Sequence, residues 1–403
     1  DSLEKISNGY YDVIGAGVDS EKIVRYFDML HDIRSRVEKS GKKSMIVCGG
    51  QGGAHAYKSY IVNGKADAVL LGFAEKNFYD LCRSFEKNRD KHISVYAKDI
   101  DGVAYPSDTK FTKIVKNPTK PLTEKEFVDL NYHEIKDLHI PYKDYWDYTY
   151  AEGAAALNLS KEGTEKSVTD PHSEIPTEES NDTQKFFVET IRLYTSSHCP
   201  WKCGFCSSHS FLRMSNASVE KEEHIPQKPK DGKTLSMNAL ATCGSQPHPV
   251  YRISPEQIYD LIVRHCDKYD PKVILFNDDA FWDGSDPGFK HILDLCDLII
   301  NGKSTGRIKK DVIFNCQAKV GDFIIKKPTR KLHDDLIIRL KKAGFYHFGT
   351  GVETFAERLL MVPSINKKGN VSESDQHLVI QGLLKYGFSP SVNIILFVPE
   401  TTI

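Results

Sequence analysis

The chain has 403 residues, 40% hydrophobic and 27% charged, with 54 basic against 55 acidic side chains and a formal charge of −1. Such a length suggests two or three domains with real apolar cores, and the balanced charge gives no argument for nucleic acid or an anionic membrane as a partner. Apolar runs such as Asn393–Val398 are far shorter than the roughly 20 residues of a membrane span, so neither a nucleic-acid nor a membrane partner is expected.

Nine cysteines form no disulfide framework, and no signal-peptide pattern opens the sequence, so a reducing, cytoplasmic setting is the expectation. Cys48, Cys82, Cys266, Cys296 and Cys316 lie in apolar patterns and read as small buried hydrophobes. The first residue is not methionine and the last stretch stops just after an apolar strand, so both ends are expected to be cut.

In chain order, Tyr11–Val18 reads as a strand, and Ser20–Lys39 as a helix with Ile23, Phe27, Leu30 and Ile33 at helical spacing. Ser44–Cys48 is a second strand running into Gly49-Gly50-Gln51-Gly52-Gly53, and a helical stretch then reaches the Asn63-Gly64 stop. Ala66–Leu71 is a third strand, followed by Gly72-Phe73-Ala74-Glu75 and a helix over Lys76–Lys87. Alternating strand and helix builds a parallel sheet with ligands at its carboxyl edge. Glycines just after strands let a backbone approach a bulky ligand; plain tight βα turns explain them equally well. His92–Tyr105 reads as a β-hairpin turning at Asp101-Gly102. Lys120–Tyr150, with Pro121, Pro141, Tyr142, Tyr145, Trp146, Tyr148 and Tyr150, reads as an aromatic connector, and the polar stretch Leu159–Gln184 as a flexible linker or lid.

Glu189–Ser196 is then a strand delivering Tyr194–Ser208, where Cys199, Cys203 and Cys206 form a C-x3-C-x2-C array. Thiolates this crowded suit iron–sulfur clusters or zinc. Three cysteines leave one iron of a [4Fe–4S] cluster open, whereas a structural zinc wants a fourth ligand, for which His198 and His209 are candidates. A polar insertion follows at about 216–250, either covering the site or forming a solvated loop. Ser254–Tyr269, Phe289–Ile300, Leu332–Ala343 and Leu378–Tyr386 read as helices between strands Lys272–Phe276, Val312–Cys316, Phe345–Phe348 and Val392–Val398. A βα series of this kind tends to a barrel with its active site at the carboxyl strand ends. The polar motifs fall there: Asn277-Asp278-Asp279, Gln317 and Lys319, and Gly351 with Glu353. Helix capping by Asp278 and Asp279 and a surface position for Lys319 are the plain alternatives.

C-x3-C-x2-C with an aromatic residue, Phe205, before the last cysteine resembles the cluster loop of the radical S-adenosylmethionine superfamily. A strand ending in Gly49-Gly50, then about twenty residues, then Ala66-Asp-Ala-Val-Leu-Leu-Gly-Phe-Ala-Glu75, resembles the back half of the cobalamin-binding domain that precedes the barrel in cobalamin-dependent members. Those members commonly read G-E-x-E where this chain has Phe73 for the first glutamate, and no D-x-H-x-x-G supplies a histidine to cobalt. The resemblance implies an α/β protein: a partial Rossmann-like cobalamin-binding-type domain over 1–118 lacking its first strand, a connector and linker over 119–184, and a partial (β/α)6 TIM-like radical S-adenosylmethionine barrel over 185–403 whose carboxyl end is truncated. It implies that Cys199, Cys203 and Cys206 hold a [4Fe–4S] cluster beside Phe205. Asn277, Asp278, Asp279, Gln317, Lys319, Gly351 and Glu353 would contact S-adenosylmethionine, and Gly49, Gly50, Gly72 and Glu75 cobalamin. The implied activity is reductive cleavage of S-adenosylmethionine with methyl transfer to an unactivated carbon of a small molecule or peptide, the electron coming from a donor such as flavodoxin or ferredoxin. Cyclisation or rearrangement is the alternative within the family, and a non-catalytic zinc-binding module the alternative outside it.

Overall fold

The computed structural model describes residues 2–17, 23–72, 74–119, 123–137, 189–197, 199, 203, 206, 250–325, 330–362, 365 and 371–396. The aromatic connector beyond 137, the linker over 159–184, the insertion up to residue 249, Phe73 and Phe205 therefore lie outside the described residues. Two compact units are present, one of Asp1–Thr123 with Gly204–His248, the other of Glu124–Cys203 with Pro249–Ile403.

In the first unit, β1 (Val13–Gly17), β2 (Met45–Gly49), β3 (Ala68–Leu70), β4 (Val103–Pro106) and β5 (Ile114–Lys116) form one sheet in that order. The first three strands are parallel, and β4 and β5 return antiparallel. Side chains alternate across a strand, so β2 feeds two cores. Ile46 and Cys48 pack with Leu30, Ile33, Tyr60 and Ile61 on one face, Met45 and Val47 with Leu81 and Phe85 on the other. Helices Ile23–Ser40, Gln51–Val62 and Glu75–Lys87 supply those partners, in the three-layer arrangement the strand–helix alternation implies.

The hairpin differs from the expectation. Ile93–Tyr96 is a short helix, and Asp101-Gly102 turns the chain from it into β4, with Gly102 at φ +63° and its N–H donating to Pro118 O at 2.6 Å. The hairpin is β4–β5, closed by Asp108, whose carboxylate accepts from the N–H of Lys110, Thr112 and Lys113 and from the Thr112 hydroxyl at 2.6–3.0 Å. Those bonds, the Thr112 hydroxyl foremost, hold the Asp108 carboxyl down at about 2.

The second unit is a parallel sheet of β6 (Thr190–Leu193), β7 (Val273–Phe276), β8 (Ile313–Lys319), β11 (Phe345–Glu353) and β12 (Ser389–Ile394), neighbours in chain order. A small antiparallel pair, β9 (Ile324–Ile325) with β10 (Lys331–Leu332), interrupts the β8–β11 crossover. Helices Pro255–Tyr269, Asp286–Ser304, Asp334–Ala343 and Glu373–Lys385 make the four crossovers and bury Ile258, Leu261, Ile292, Leu295, Leu336, Leu340, Val379 and Leu383. Phe276, Phe314, Phe345 and Phe348 stack beneath them. β8 and β11 run past the expected ends at Cys316 and Phe348, because Gln317–Lys319 and Gly349–Gly351 supply each other's ladder partners, with β12 continuing along the far side of β11. The unit begins ahead of β6: Tyr132, in the helical turn Asp129–Glu134, donates its hydroxyl to Asp260 at 3.0 Å. Cys48, Cys296 and Cys316 are buried as expected, while Cys82 and Cys266 are half-buried on helix flanks.

Candidate active site at the carboxyl edge of the parallel sheet

The ladder aligns Leu193, Phe276, Cys316, Phe348 and Pro390 in one row across the second unit. One step on, Gln317, Gly349 and Ser391 are in register, and Tyr194 and Asn277 follow their strands at the same level. Strand alternation sends this second row to the face opposite the phenylalanines. There Arg192, Tyr194 and Gln317 are exposed and Asn277, Gly349 and Ser391 half-buried. Asn277 Nδ2 donates to the Tyr194 hydroxyl, His347 N donates to Asn315 Oδ1 at 3.2 Å, and His347 Nε2 lies 3.3 Å from Ser391 Oγ. One face of the sheet is thus polar, exposed at Arg192, Tyr194 and Gln317 and buried at Asn315 and His347, while the other is packed by helices. Arg192, Tyr194, Asn315, His347 and Ser391 belong to no strand-end motif; their sequence signal is the period-two polar residues inside apolar strands.

Asp278 is 2% exposed and accepts four hydrogen bonds: from Thr195 N at 2.8 Å, Thr195 Oγ1 at 2.8 Å, Ser196 N at 2.6 Å and Ser196 Oγ at 2.8 Å. Burial nonetheless raises its carboxyl to about 6, against the pull of those donors. It caps no helix, since the next one starts at Asp286. Asp279 beside it is exposed. Gln317 and Lys319 lie within β8, Lys319 as its half-buried last residue. Gly351 is half-buried in β11, and Glu353, 8% exposed, ends that strand at φ +65°, where the ladder slips by one residue. A non-glycine residue in the left-handed region is costly, and such strain collects at functional sites. Asp322 also went unread. It is 2% exposed, accepts from Lys319 N at 3.2 Å, and is pushed up to about 7 by burial although the Lys319 charge opposes this. Its sequence signal is one acid inside the apolar run after β8.

Cys199, Cys203 and Cys206 are each half-buried on the loop after β6. Among the described residues no three His, Cys, Asp or Glu side chains converge as ligands of a single metal ion. The donor set, three soft thiols on one short loop, fits the cluster chemistry. In the first unit, Gly49 ends β2, Gly50 stands at φ +92°, and Gly72, after the adjacent β3, at φ +76°. Side chains rarely adopt those angles, so the two neighbouring strand ends present bare backbone to whatever approaches. Glu75 opens the next helix and is exposed.

No family model and no curated protein matches the chain in sequence. Solved structures do match in fold. The cobalamin-dependent S-adenosylmethionine radical enzyme OxsB matches with TM-score 0.56 and 15% identity over 98% of this chain. The radical S-adenosylmethionine methyltransferase TsrM from Kitasatospora setae matches with TM-score 0.55 and 10% identity over 97% of it in the form with cobalamin and a [4Fe–4S] cluster bound. The form of TsrM with tryptophan substrate and the S-adenosylmethionine analogue aza-SAM bound gives 0.56 and 11% over 100%. This chain spans 42% of OxsB and 60% of TsrM. It therefore has the fold of cobalamin-dependent radical S-adenosylmethionine enzymes, a mixed α/β protein with parallel sheets.

Proposed function

We propose that this chain belongs to a radical S-adenosylmethionine enzyme that holds a [4Fe–4S] cluster on Cys199, Cys203 and Cys206, cleaves S-adenosylmethionine reductively and transfers a methyl group to an unactivated carbon with cobalamin in the first unit. The observation that carries the reading is the place of the cysteine array: three thiols directly after the first strand of a parallel βα series whose fold is that of OxsB and TsrM. When bound, the cluster supplies the electron that breaks a carbon–sulfur bond of S-adenosylmethionine, and cobalamin the methyl carrier.

The protein's share is to bind, orient and exclude water. As thiolates, Cys199, Cys203 and Cys206 would occupy three irons, with Phe205 beside them, and leave the fourth for the amino and carboxylate groups of S-adenosylmethionine. Asn277 and exposed Asp279 offer acceptors to a cationic amine at the end of β7. Gln317, Lys319, Gly351 and Glu353, at the ends of β8 and β11, would serve the ribose and carboxylate. Gly49, Gly50 and Gly72, with Glu75 nearby, give a corrin ring bare backbone at two adjacent strand ends. A small molecule or peptide would be the substrate, and flavodoxin or ferredoxin the reductant.

Two measurements test this. The anaerobically reconstituted, dithionite-reduced protein is expected to convert S-adenosylmethionine to 5′-deoxyadenosine; an intact cluster that yields none contradicts the reading. Hydroxocobalamin is expected to bind with a shift in its visible spectrum. Absence of binding well above micromolar, with 5′-deoxyadenosine still formed, would replace methyl transfer by cobalamin-free cyclisation or rearrangement.

A further inference from the structure

Beyond β6 the chain passes exposed Tyr194, and the three residues after it are buried: Thr195 at 1%, Ser196 at 6% and Ser197 at 9% exposed. Two sets of contacts hold them. On one side residues 251–253 run alongside, with Ser197 N donating to Tyr251 O at 2.9 Å, Ile253 N to Thr195 O at 3.1 Å and Tyr251 N to Ser197 Oγ at 3.0 Å, and with Ser196 and Arg252 bridged antiparallel. On the other side stands Asp278, whose two oxygens take both backbone N–H groups and both hydroxyls of Thr195 and Ser196. Two consecutive N–H groups turned to one acceptor fix the backbone direction between them. Cys199 follows three residues later.

We infer that Asp278 is a positioning residue: its side chain sets the direction in which the chain leaves β6 and thereby places Cys199 and Cys203, without itself touching substrate or cofactor. This rests on the cluster reading for its consequence, but the clamp is a feature of the folded polypeptide. Chemistry supports the assignment over direct contact with the amine of S-adenosylmethionine. A buried carboxylate whose oxygens already accept four bonds at 2.6–2.8 Å has little capacity left for an ammonium group, whereas Asp279 next to it is exposed.

The two roles predict opposite behaviour of Asp278→Asn. Asparagine keeps one oxygen for the two N–H groups and the Ser196 hydroxyl, and its amide can donate to the Thr195 hydroxyl, which reverses freely. A clamp therefore survives the exchange; a charge partner for a cation does not. In the full chain, Asp278→Asn is expected to bind iron and S-adenosylmethionine like wild type. Asp278→Ala leaves two buried N–H groups without an acceptor, and is expected to reconstitute with less than half the iron of wild type. Hydrogen exchange of the metal-free proteins supplies a readout independent of any cluster. Thr195 and Ser196 amides should exchange at similar rates in wild type and Asp278→Asn, and roughly tenfold or more faster in Asp278→Ala.

Equal exchange in wild type and Asp278→Ala overturns the clamp, as does an Asp278→Asn protein that keeps full iron but loses S-adenosylmethionine binding. Should Asp278→Ala fail to fold, Asp278→Ser, whose side chain is too short to span both N–H groups, takes its place. Faster exchange at Thr195 and Ser196 in that variant supports the clamp, and unchanged exchange overturns it. A wild-type protein that takes up no iron sinks the functional reading alone, since the exchange rates still decide the role of Asp278.

Discussion

Asp278 and Asp322 are both nearly inaccessible to water, and each is raised above the ordinary carboxylate range by burial, to about 6 and about 7. An acid whose folded value lies above its unfolded one binds its proton more tightly in the fold. Its contribution to stability is complete below the unfolded value near 4 and is lost as pH rises through 6 and 7. The two acids differ in their partners: Asp278 is ringed by four donors, whereas Asp322 accepts from Lys319 N at 3.2 Å and from the Gly284 backbone, under the Lys319 charge. Asp322 should therefore dominate the neutral range. The thermal midpoint of wild type is expected to fall by a few degrees more between pH 5 and 8 than that of Asp322→Asn. Parallel profiles for the two proteins would contradict the burial account of Asp322.

Among the elements, helix Asp286–Ser304 lies against helix Pro255–Tyr269 at Gly302, where a Cβ would stand 2.7 Å from the Tyr259 hydroxyl oxygen and 2.9 Å from its ring. Alanine gains about 1 kcal/mol of helix propensity over glycine, while overpacking a filled contact costs about 1–3 kcal/mol. Contact should win, so Gly302→Ala is expected to lower the denaturant midpoint by roughly 1 kcal/mol of stability; a stabilised variant would show that the helices separate freely. The helices were legible because Ile258, Leu261 and Ile262 repeat at helical spacing and Ser254 with Gln257 forms a reciprocal cap. The length of β11 was not, because Gly349-Thr350-Gly351 reads as a loop until strands on both sides give it ladder partners. Asp101-Gly102 misled for a related reason: it is a real turn with a positive φ, but it joins a short helix to a strand, and the hairpin is closed by Asp108 a few residues on. The burial of Asp278 depends on Thr195, 83 residues earlier, and no local pattern encodes such a partner.

For the whole molecule, the cysteine array and the glycine-ended strands were enough to suggest the fold that OxsB and TsrM display, though identity is only 15% and 10%. The polar face of the second sheet, with Tyr194, Asn277 and Gln317 beside one another, depends on register between strands far apart in sequence and needed the structure. The central claim is that Cys199, Cys203 and Cys206 together hold a [4Fe–4S] cluster. Iron and acid-labile sulfide per chain after anaerobic reconstitution test it most directly, in wild type, in the triple cysteine-to-alanine variant, in Cys48→Ala, and in Cys243→Ala, which removes the ninth cysteine, in the polar insertion after the array. About four of each in wild type and in the two single variants, with loss of both iron and sulfide in the triple variant, is the predicted result; one zinc per chain in wild type, or full iron retained by the triple variant, would contradict it.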